Sequence, residues 1–311
     1  ARRTGRPVTV LVAPNTAPEL WDLAARLKAE GLEVRPQVGA RPPSVLMTLE
    51  GTVNPLRQFP SYAEIKDLPP AEQRQRLAHD QELRAKIVAD EAKTARFVDT
   101  AKMISSWDRM YVLPEDLSYE PDYPDSIAGI AEAKGVHVRE ALMDVMADQR
   151  PILFLFGKYR GNLEFQVEAI KNEHSVFGLS DGGAHCGVLC DASVPTYMLS
   201  YMTRDRTKGE TLPVEFVVHK MTQDTANLYG LSDRGVIAEG YRADLNLIDY
   251  DGLGSTTLRE EGVAGHGGDE VRGIRVLDPG LVAHRIQDPQ VKKGVAAIGD
   301  GQVGRCRVGA A

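Results

Sequence analysis

Apolar positions first gather in Val8–Val12, a β-branched run behind Arg6-Pro7, which predicts a buried strand. Leu20, Leu23, Ala24 and Leu27 then recur at helical spacing, predicting a helix over Ala17–Glu30 that stops at Gly31, a natural C-cap. Glu33–Val38 reads as the next strand. Such a strand–helix–strand unit implies a parallel sheet or barrel. The stretch Ala40–Pro70 is rich in Pro and Gly with scattered aromatics (Phe59, Tyr62), and its length predicts a functional loop, with Ala40–Tyr62 as part of a lid over substrate. Ala71–Lys93 reads as one highly charged helix with a weak apolar stripe of Leu77, Leu83, Ile87 and Val88.

Further along, Met110–Leu113 fits a strand, and Tyr123–Lys134 and Val138–Asp148 fit helices. Pro151–Phe156 is continuously apolar, the pattern of a parallel strand buried on both faces. Glu164–Lys171 fits a short helix. Val176–Leu179 is a short apolar strand that ends abruptly in Ser180-Asp181-Gly182-Gly183. Helices are expected around Pro195–Thr203 and Pro213–Thr222, and an alternating strand at Leu245–Tyr250. This alternation predicts an α/β fold, either a barrel or an open doubly wound sheet.

Composition narrows the function classes. At 311 residues, 42% hydrophobic and 26% charged, the chain has room for one large globular domain, or one plus a small one. A net charge of -7 without any Lys/Arg cluster argues against a nucleic-acid partner. No apolar run approaches the ~20 residues needed to cross a bilayer, and the N-terminal residues lack the apolar core and cleavage site of a signal peptide. Three cysteines make no disulfide framework, which fits a reducing compartment such as the cytoplasm.

The residues that could carry chemistry cluster at GLSDGGAHCGVLCD, Gly178–Asp191. An Asp at the end of an apolar strand stands at the sheet edge where α/β folds place their sites. Gly182 and Gly183 let the backbone turn sharply and leave room for a ligand. Asp181 could ligate a metal and exchange a proton with water, or simply cap a turn. His185 could contact substrate or orient Asp181. Cys186 and Cys190 do not have the spacing of a closed zinc site and read as buried thiols. The other histidines form no H-x-H or H-E-x-x-H pair.

Three segments together resemble the metal-dependent amidohydrolases, and within them the N-acyl-D-amino-acid deacylase group. They are LSDGGAHCGVLCDASVPTYMLSY at Leu179–Tyr201, the TxxTANLYGLSDRGVIAEGYRADLNLIDYD pattern over Thr222–Asp251, and RPPSVLMTLEGTVNPLRQFPSY at Arg41–Tyr62. The resemblance runs from about Arg6 to Thr257. It implies the C-terminal part of a (β/α)8 barrel over 1–230, part of a small β-sandwich over 231–257 and an unassigned tail over 258–311. It also implies that Asp181 is the catalytic, metal-binding aspartate, with one or two zinc ions in the whole protein. Gly182, Gly183, His185 and Arg204 would meet a small N-acyl amino acid, with Arg206 as a further candidate for its carboxylate.

Two departures qualify that resemblance. The family's H-x-H pair is absent, and a whole barrel typically takes ~250 residues. The N-terminal part is therefore expected to be missing, Val8–Val12 to be a middle strand, and the isolated chain to be inactive and to bind metal weakly. Leu258–Ala311 follows no family pattern, and a shifted reading frame would leave it without a packed core. Two alternatives stay open: a hydrolase of cyclic amides such as hydantoins or dihydropyrimidines, and a non-catalytic binding protein derived from the barrel.

Overall fold

The computed structural model describes residues 1–12, 17–92, 106–113, 119–156, Tyr159, 161–178, 193–242, 245–255 and four short strands beyond. Along the chain these are strand β1 (Val8–Leu11), helix α1 (Ala17–Ala29), β2 (Val34–Val38) and β3 (Ser44–Met47), then helices α2 (Pro70–His79) and α3 (Gln81–Ala89). Next come β4 (Met110–Val112), α4 (Ile127–Lys134), α5 (Val138–Ala147), β5 (Ile152–Leu155), α6 (Glu164–Lys171) and β6 (Val176–Phe177). Helices α7 (Val194–Ser200), α8 (Val214–His219) and α9 (Thr225–Leu228) follow, and then strand β7 (Leu245–Ile248). The fold is mixed α/β.

The expected strand–helix–strand unit is present, but its first strand is not the buried one expected, since Val8, Val10 and Leu11 are exposed. β1 pairs in parallel with β2, Val8 opposite Val34, and β2 pairs in parallel with β6, Gln37 opposite Val176. Helix α1 ends as Gly31 enters the left-handed region at φ 75°, while the Leu32 N–H donates to the Leu27 carbonyl at 2.9 Å. Only glycine takes that conformation without strain.

A second three-stranded sheet has the order β3-β5-β4, and both outer strands run antiparallel to β5. This corrects the expectation of a parallel strand at Pro151–Phe156. A continuous apolar run reports that both faces are covered, not which way the neighbours run. β5 is central in its sheet, with Ile152, Phe154 and Leu155 buried. Among the described residues the strands fall into these small sheets and two-stranded pairs, and they do not close into an eight-stranded barrel.

Each three-stranded sheet has its own apolar core. The antiparallel sheet packs on α2 to α5 through Met47, Leu77, Leu83, Ile87, Leu142 and Ile152. The parallel sheet packs on α6 to α8 through Val38, Val167, Ile170, Tyr197, Met198 and Val217.

Two other expectations need correcting. The expected charged helix over Ala71–Lys93 is two helices, because Asp80 takes an extended conformation and its side chain accepts from the Leu83 N–H at 3.0 Å, capping α3. Residues 54–62, within the stretch Ala40–Tyr62 expected to be part of a lid, are core instead. Pro55 and Pro60 open short 3-10 turns, and Leu56, Phe59, Tyr62 and Ile65 are almost wholly buried. The turns are pinned by Asn54, whose side-chain amide donates to the Leu49 carbonyl and the Tyr62 hydroxyl at 2.9 and 3.0 Å.

Towards the C-terminus, β7 pairs antiparallel with Ile274–Leu277, and Ala296–Gly299 pairs antiparallel with Gln302–Arg305. The side chains of these tail strands lie outside the described residues, so the expectation of a tail without a packed core falls outside them too. Among the described residues no helix is long and apolar enough to cross a membrane.

Candidate active site

Four strand ends meet at one rim. The Val12 N–H donates to the Gln37 carbonyl at 2.9 Å, and the Gly178 N–H to the Val38 carbonyl at 3.1 Å. These bonds hold the C-terminal ends of β1, β2 and β6 side by side. Residues 39–43 then cross from β2 to the second sheet, where the Phe156 N–H donates to the Pro43 carbonyl at 2.9 Å. The end of β5 thus joins the same rim. In parallel α/β architecture this is the edge that carries chemistry.

An aromatic cluster with one cation forms on this rim. Arg41 follows the buried Ala40 just past β2, and its guanidinium lies 5.6 Å from the Tyr119 ring centre and 5.5 Å from that of Tyr197. Tyr119 meets Tyr197 and Tyr201 edge-on at 4.6 and 4.8 Å, while Tyr197 and Tyr201 stack at 5.2 Å. Burial raises the Tyr197 phenol well above the usual tyrosine range. Tyr201 is raised too, by burial first and then by its hydrogen bond to Glu120. Both are neutral hydroxyls at physiological pH.

Beneath the tyrosines lies a fully buried ion pair. The Arg206 Nε and Nη2 donate to Glu120 at 2.9 and 3.1 Å, with neither side chain exposed. Glu120 also accepts from the Tyr201 hydroxyl at 2.8 Å and the Leu163 N–H at 2.7 Å. Arg206 Nη2 reaches Glu164 at 2.8 Å. Burial alone would lower the Arg206 pKa, but its hydrogen bonds to Glu120 and Glu164 more than offset this and raise it. The pair therefore fixes Tyr201, and through it the tyrosine stack, from below.

The opposite edge of the parallel sheet is tied to the helices. Arg35 on β2 donates to both oxygens of Asp224 at 2.8 Å and to the Ser175 carbonyl at 2.8 Å. Lys220 donates to the same Ser175 carbonyl at 2.8 Å. Burial lowers the Lys220 pKa, while Asp224 opposes that shift. Polar contacts on this edge anchor helices to strands, consistent with structural support.

The residues expected from the sequence fall as follows. Asp181, Gly182, Gly183 and His185, with Cys186 and Cys190, lie outside the described residues. Their segment leaves from Gly178 on the rim and ends at Ser193, four residues before Tyr197. Arg204 lies in the π-helical turn Tyr201–Asp205, where it pairs with Asp205 at 2.6 Å and donates to the carbonyls of Tyr250 and Leu253, the latter at 2.6 Å. Arg206 is neither a free substrate ligand nor a solvent-exposed residue, since Glu120 takes it into the interior. Among the described residues, no group of three or more His, Cys, Asp or Glu side chains could hold a metal ion.

Pattern reading missed Arg41, Tyr119, Glu120, Tyr197 and Tyr201 as site residues. The i, i+4 spacing of Tyr197 and Tyr201 was a usable signal, since it puts both on one helix face. Glu120 and Arg206, 86 residues apart, have no local signature.

The sequence matches the profile of the amidohydrolase family over residues 3–263. This chain belongs to the amidohydrolase family. The match takes in the rim, the tyrosine cluster and the Gly178–Asp191 segment. No curated protein sequence matches this amidohydrolase. Among solved structures it is similar to a mutant D-aminoacylase in complex with copper chloride, at 14% identity and a TM-score of 0.41. A second similar structure concerns the role of the binuclear metal centre in D-aminoacylase, at 16% identity and a TM-score of 0.40. Each alignment covers 88% of this chain and 46% of the other, so the amidohydrolase chain spans about half the length of those D-aminoacylases.

Proposed function

We propose that the protein containing this chain hydrolyses the amide bond of N-acyl-D-amino acids, with Asp181 as the proton-transferring residue. The observation that carries the reading is the family match together with the position of β6. The SDGGAH motif starts three residues past the end of β6, a strand whose C-terminal end lies on the rim with those of β1 and β2. A carboxylate at that point serves a water that attacks the amide carbonyl. It takes the proton as the C–O bond forms and returns it to the nitrogen as the C–N bond breaks. The products are a carboxylate and a free D-amino acid. Gly182 and Gly183 keep side chains away from the substrate, and His185 orients Asp181 or meets the substrate. We assign the chain to the C-terminal part of a (β/α)8 barrel and the start of a β-sandwich at residues 231–257.

The family reading implies a zinc ion held by Asp181, but the described residues do not furnish the rest of its ligand set. The protein is placed in the cytoplasm on its cysteine content. The test is release of free amine from matched N-acetyl-D- and N-acetyl-L-amino acids, and separately the opening of hydantoin to N-carbamoylglycine, which frees no amine and is read by chromatography. Turnover confined to the D-isomers supports the reading, and turnover of hydantoin alone replaces it with the cyclic-amide alternative.

A further inference from the structure

We propose that the outer edge of β1 is a self-association surface, on which a second copy of this chain adds its own β1 antiparallel, across a two-fold axis at Val10. The inference goes beyond the deacylase reading and does not depend on it. A closed barrel would cover this edge with a strand of the same polypeptide, so the dimer belongs to the 311-residue chain by itself.

β1 ends the sheet order β1-β2-β6, with β2 on one side and, among the described residues, no strand on the other. Its apolar side chains are uncovered: Val8 is 38% exposed, Val10 41% and Leu11 53%. From Pro7 to Val12 the strand carries no charged side chain, the usual guard against strand addition. The backbone completes the template. The Val8 and Val12 N–H groups donate towards β2, to the Glu33 and Gln37 carbonyls at 3.0 and 2.9 Å. By strand alternation the N–H and C=O groups of Thr9 and Leu11 turn to the open edge.

Those outward groups select a register. An axis at Val10 sets Thr9 opposite Leu11 of the second copy, and Leu11 opposite its Thr9, each pair exchanging both backbone bonds. Sliding the axis to Thr9 would put Leu11 opposite Pro7, which has no N–H to donate. Sliding it to Leu11 would put Thr9 opposite residue 13, past the end of the strand. The axis at Val10 also brings the two Val10 side chains face to face. Charge favours the same orientation. Arg3 and Arg6 precede β1, while α1 begins six residues past its end with Glu19 in the first turn. An antiparallel partner brings the basic end of one strand alongside the acidic helix start of the other, whereas a parallel one would set the arginines together.

The test is sedimentation velocity of the full chain over a range of concentrations, where a reversible monomer–dimer equilibrium is expected. Val10→Lys sets two like charges opposite each other and should weaken the dimer at least about 10-fold. Its circular-dichroism melt should stay unchanged, because Val10 is an exposed position. Arg6→Glu and Glu19→Arg should each weaken the dimer, and the two together should restore it, a rescue that a folding defect would not produce. A monomer at every concentration, or a dimer as tight in Val10→Lys as in the parent, would overturn the proposal. Failure of the double charge exchange to recover the dimer would overturn the antiparallel arrangement.

Discussion

Replacing Arg206 with methionine tests whether the Glu120–Arg206 pair holds the rim together. In the parent, Arg206 donates five hydrogen bonds: two to Glu120, one to Glu164 and one each to the carbonyls of Lys208 and Glu210. These are not equal in weight. Glu164 is 53% exposed, and water can replace the guanidinium there, so that bond contributes under about 1 kcal/mol. Residues 208 and 210 lie on the accessible surface, so their carbonyls can also be resolvated. Glu120 has no such recourse, since its side chain is wholly buried and neutral donors such as the Leu163 N–H and the Tyr201 hydroxyl do not replace a guanidinium. Breaking a buried pair by removing one partner costs about 3–5 kcal/mol, and most of that should come from the stranded carboxylate. Adding Glu120→Gln removes the stranded charge; the amide oxygen still accepts from the Leu163 N–H, and the amide NH2 can donate to the Tyr201 hydroxyl, which accepts as well as donates. The double variant should therefore regain at least about 1 kcal/mol over Arg206→Met alone, the sign expected of coupled neighbours. Urea titrations of the parent, both single variants and the double variant give the cycle. A cost for Arg206→Met below about 1 kcal/mol, or a double variant as unstable as the sum of the singles, would refute this reasoning.

Other expectations follow from single contacts. Arg139 donates to the carbonyls of Ile87, Val88 and Asp90 at 2.9, 2.9 and 2.6 Å and lies over Phe59 at 4.4 Å, so Arg139→Ala should cost about 2–3 kcal/mol by urea denaturation. A Cβ at Gly129 would meet the Tyr123 carbonyl and come within 2.8 Å of the Pro124 Cα, so Gly129→Ala should cost about 1–3 kcal/mol and lower the Tm. Burial pushes the Tyr111 phenol up to about 12, and Tyr159, Tyr197 and Tyr201 are raised as well. A phenol raised on folding stabilises the fold fully below its unfolded pKa of about 10 and loses that contribution as pH climbs through the folded value. The Tm should therefore fall steadily above about pH 10, and the phenolate absorbance of these four tyrosines should appear together with unfolding rather than before it. Arg204→Ala should weaken hydrogen-exchange protection of Leu245–Ile248, because Arg204 clamps the Tyr250–Leu253 turn behind that strand.

Local pattern was enough for those parts of the fold that local physics decides. The spacing of Leu20, Leu23, Ala24 and Leu27, closed by Gly31, gave α1, and the β-branched runs beside it gave a parallel pair. Glu164–Lys171 formed as its composition suggests. Strand direction was not legible in Ile152–Leu155, because burial on both faces is common to the centre of either kind of sheet. The break at Asp80 was legible and overlooked: an Asp three residues ahead of an apolar Leu83 is an N-cap signature. The fold of residues 54–65 into the core depended on Asn54 meeting Leu49 and Tyr62, contacts that no periodicity announces.

The candidate site was legible only in part. The Asp181 segment stood out because a carboxylate and two glycines ended an apolar strand. Arg41, Tyr119 and Tyr197 come from three separate stretches of chain that the crossover between the sheets brings together. The sequence offers Arg206 only as a candidate for a substrate carboxylate and gives no signal at Glu120, yet the two form one fully buried pair.

The most direct measurement is amine release from N-acetyl-D-leucine by the protein containing this chain, compared with its Asp181→Asn variant. A general acid–base residue contributes about 10²–10⁴ in rate, so the variant should lose that factor in kcat while its melting curve stays unchanged. Turnover in Asp181→Asn equal to that of the parent, with the fold intact, would contradict the assignment of Asp181 as the residue that moves the proton.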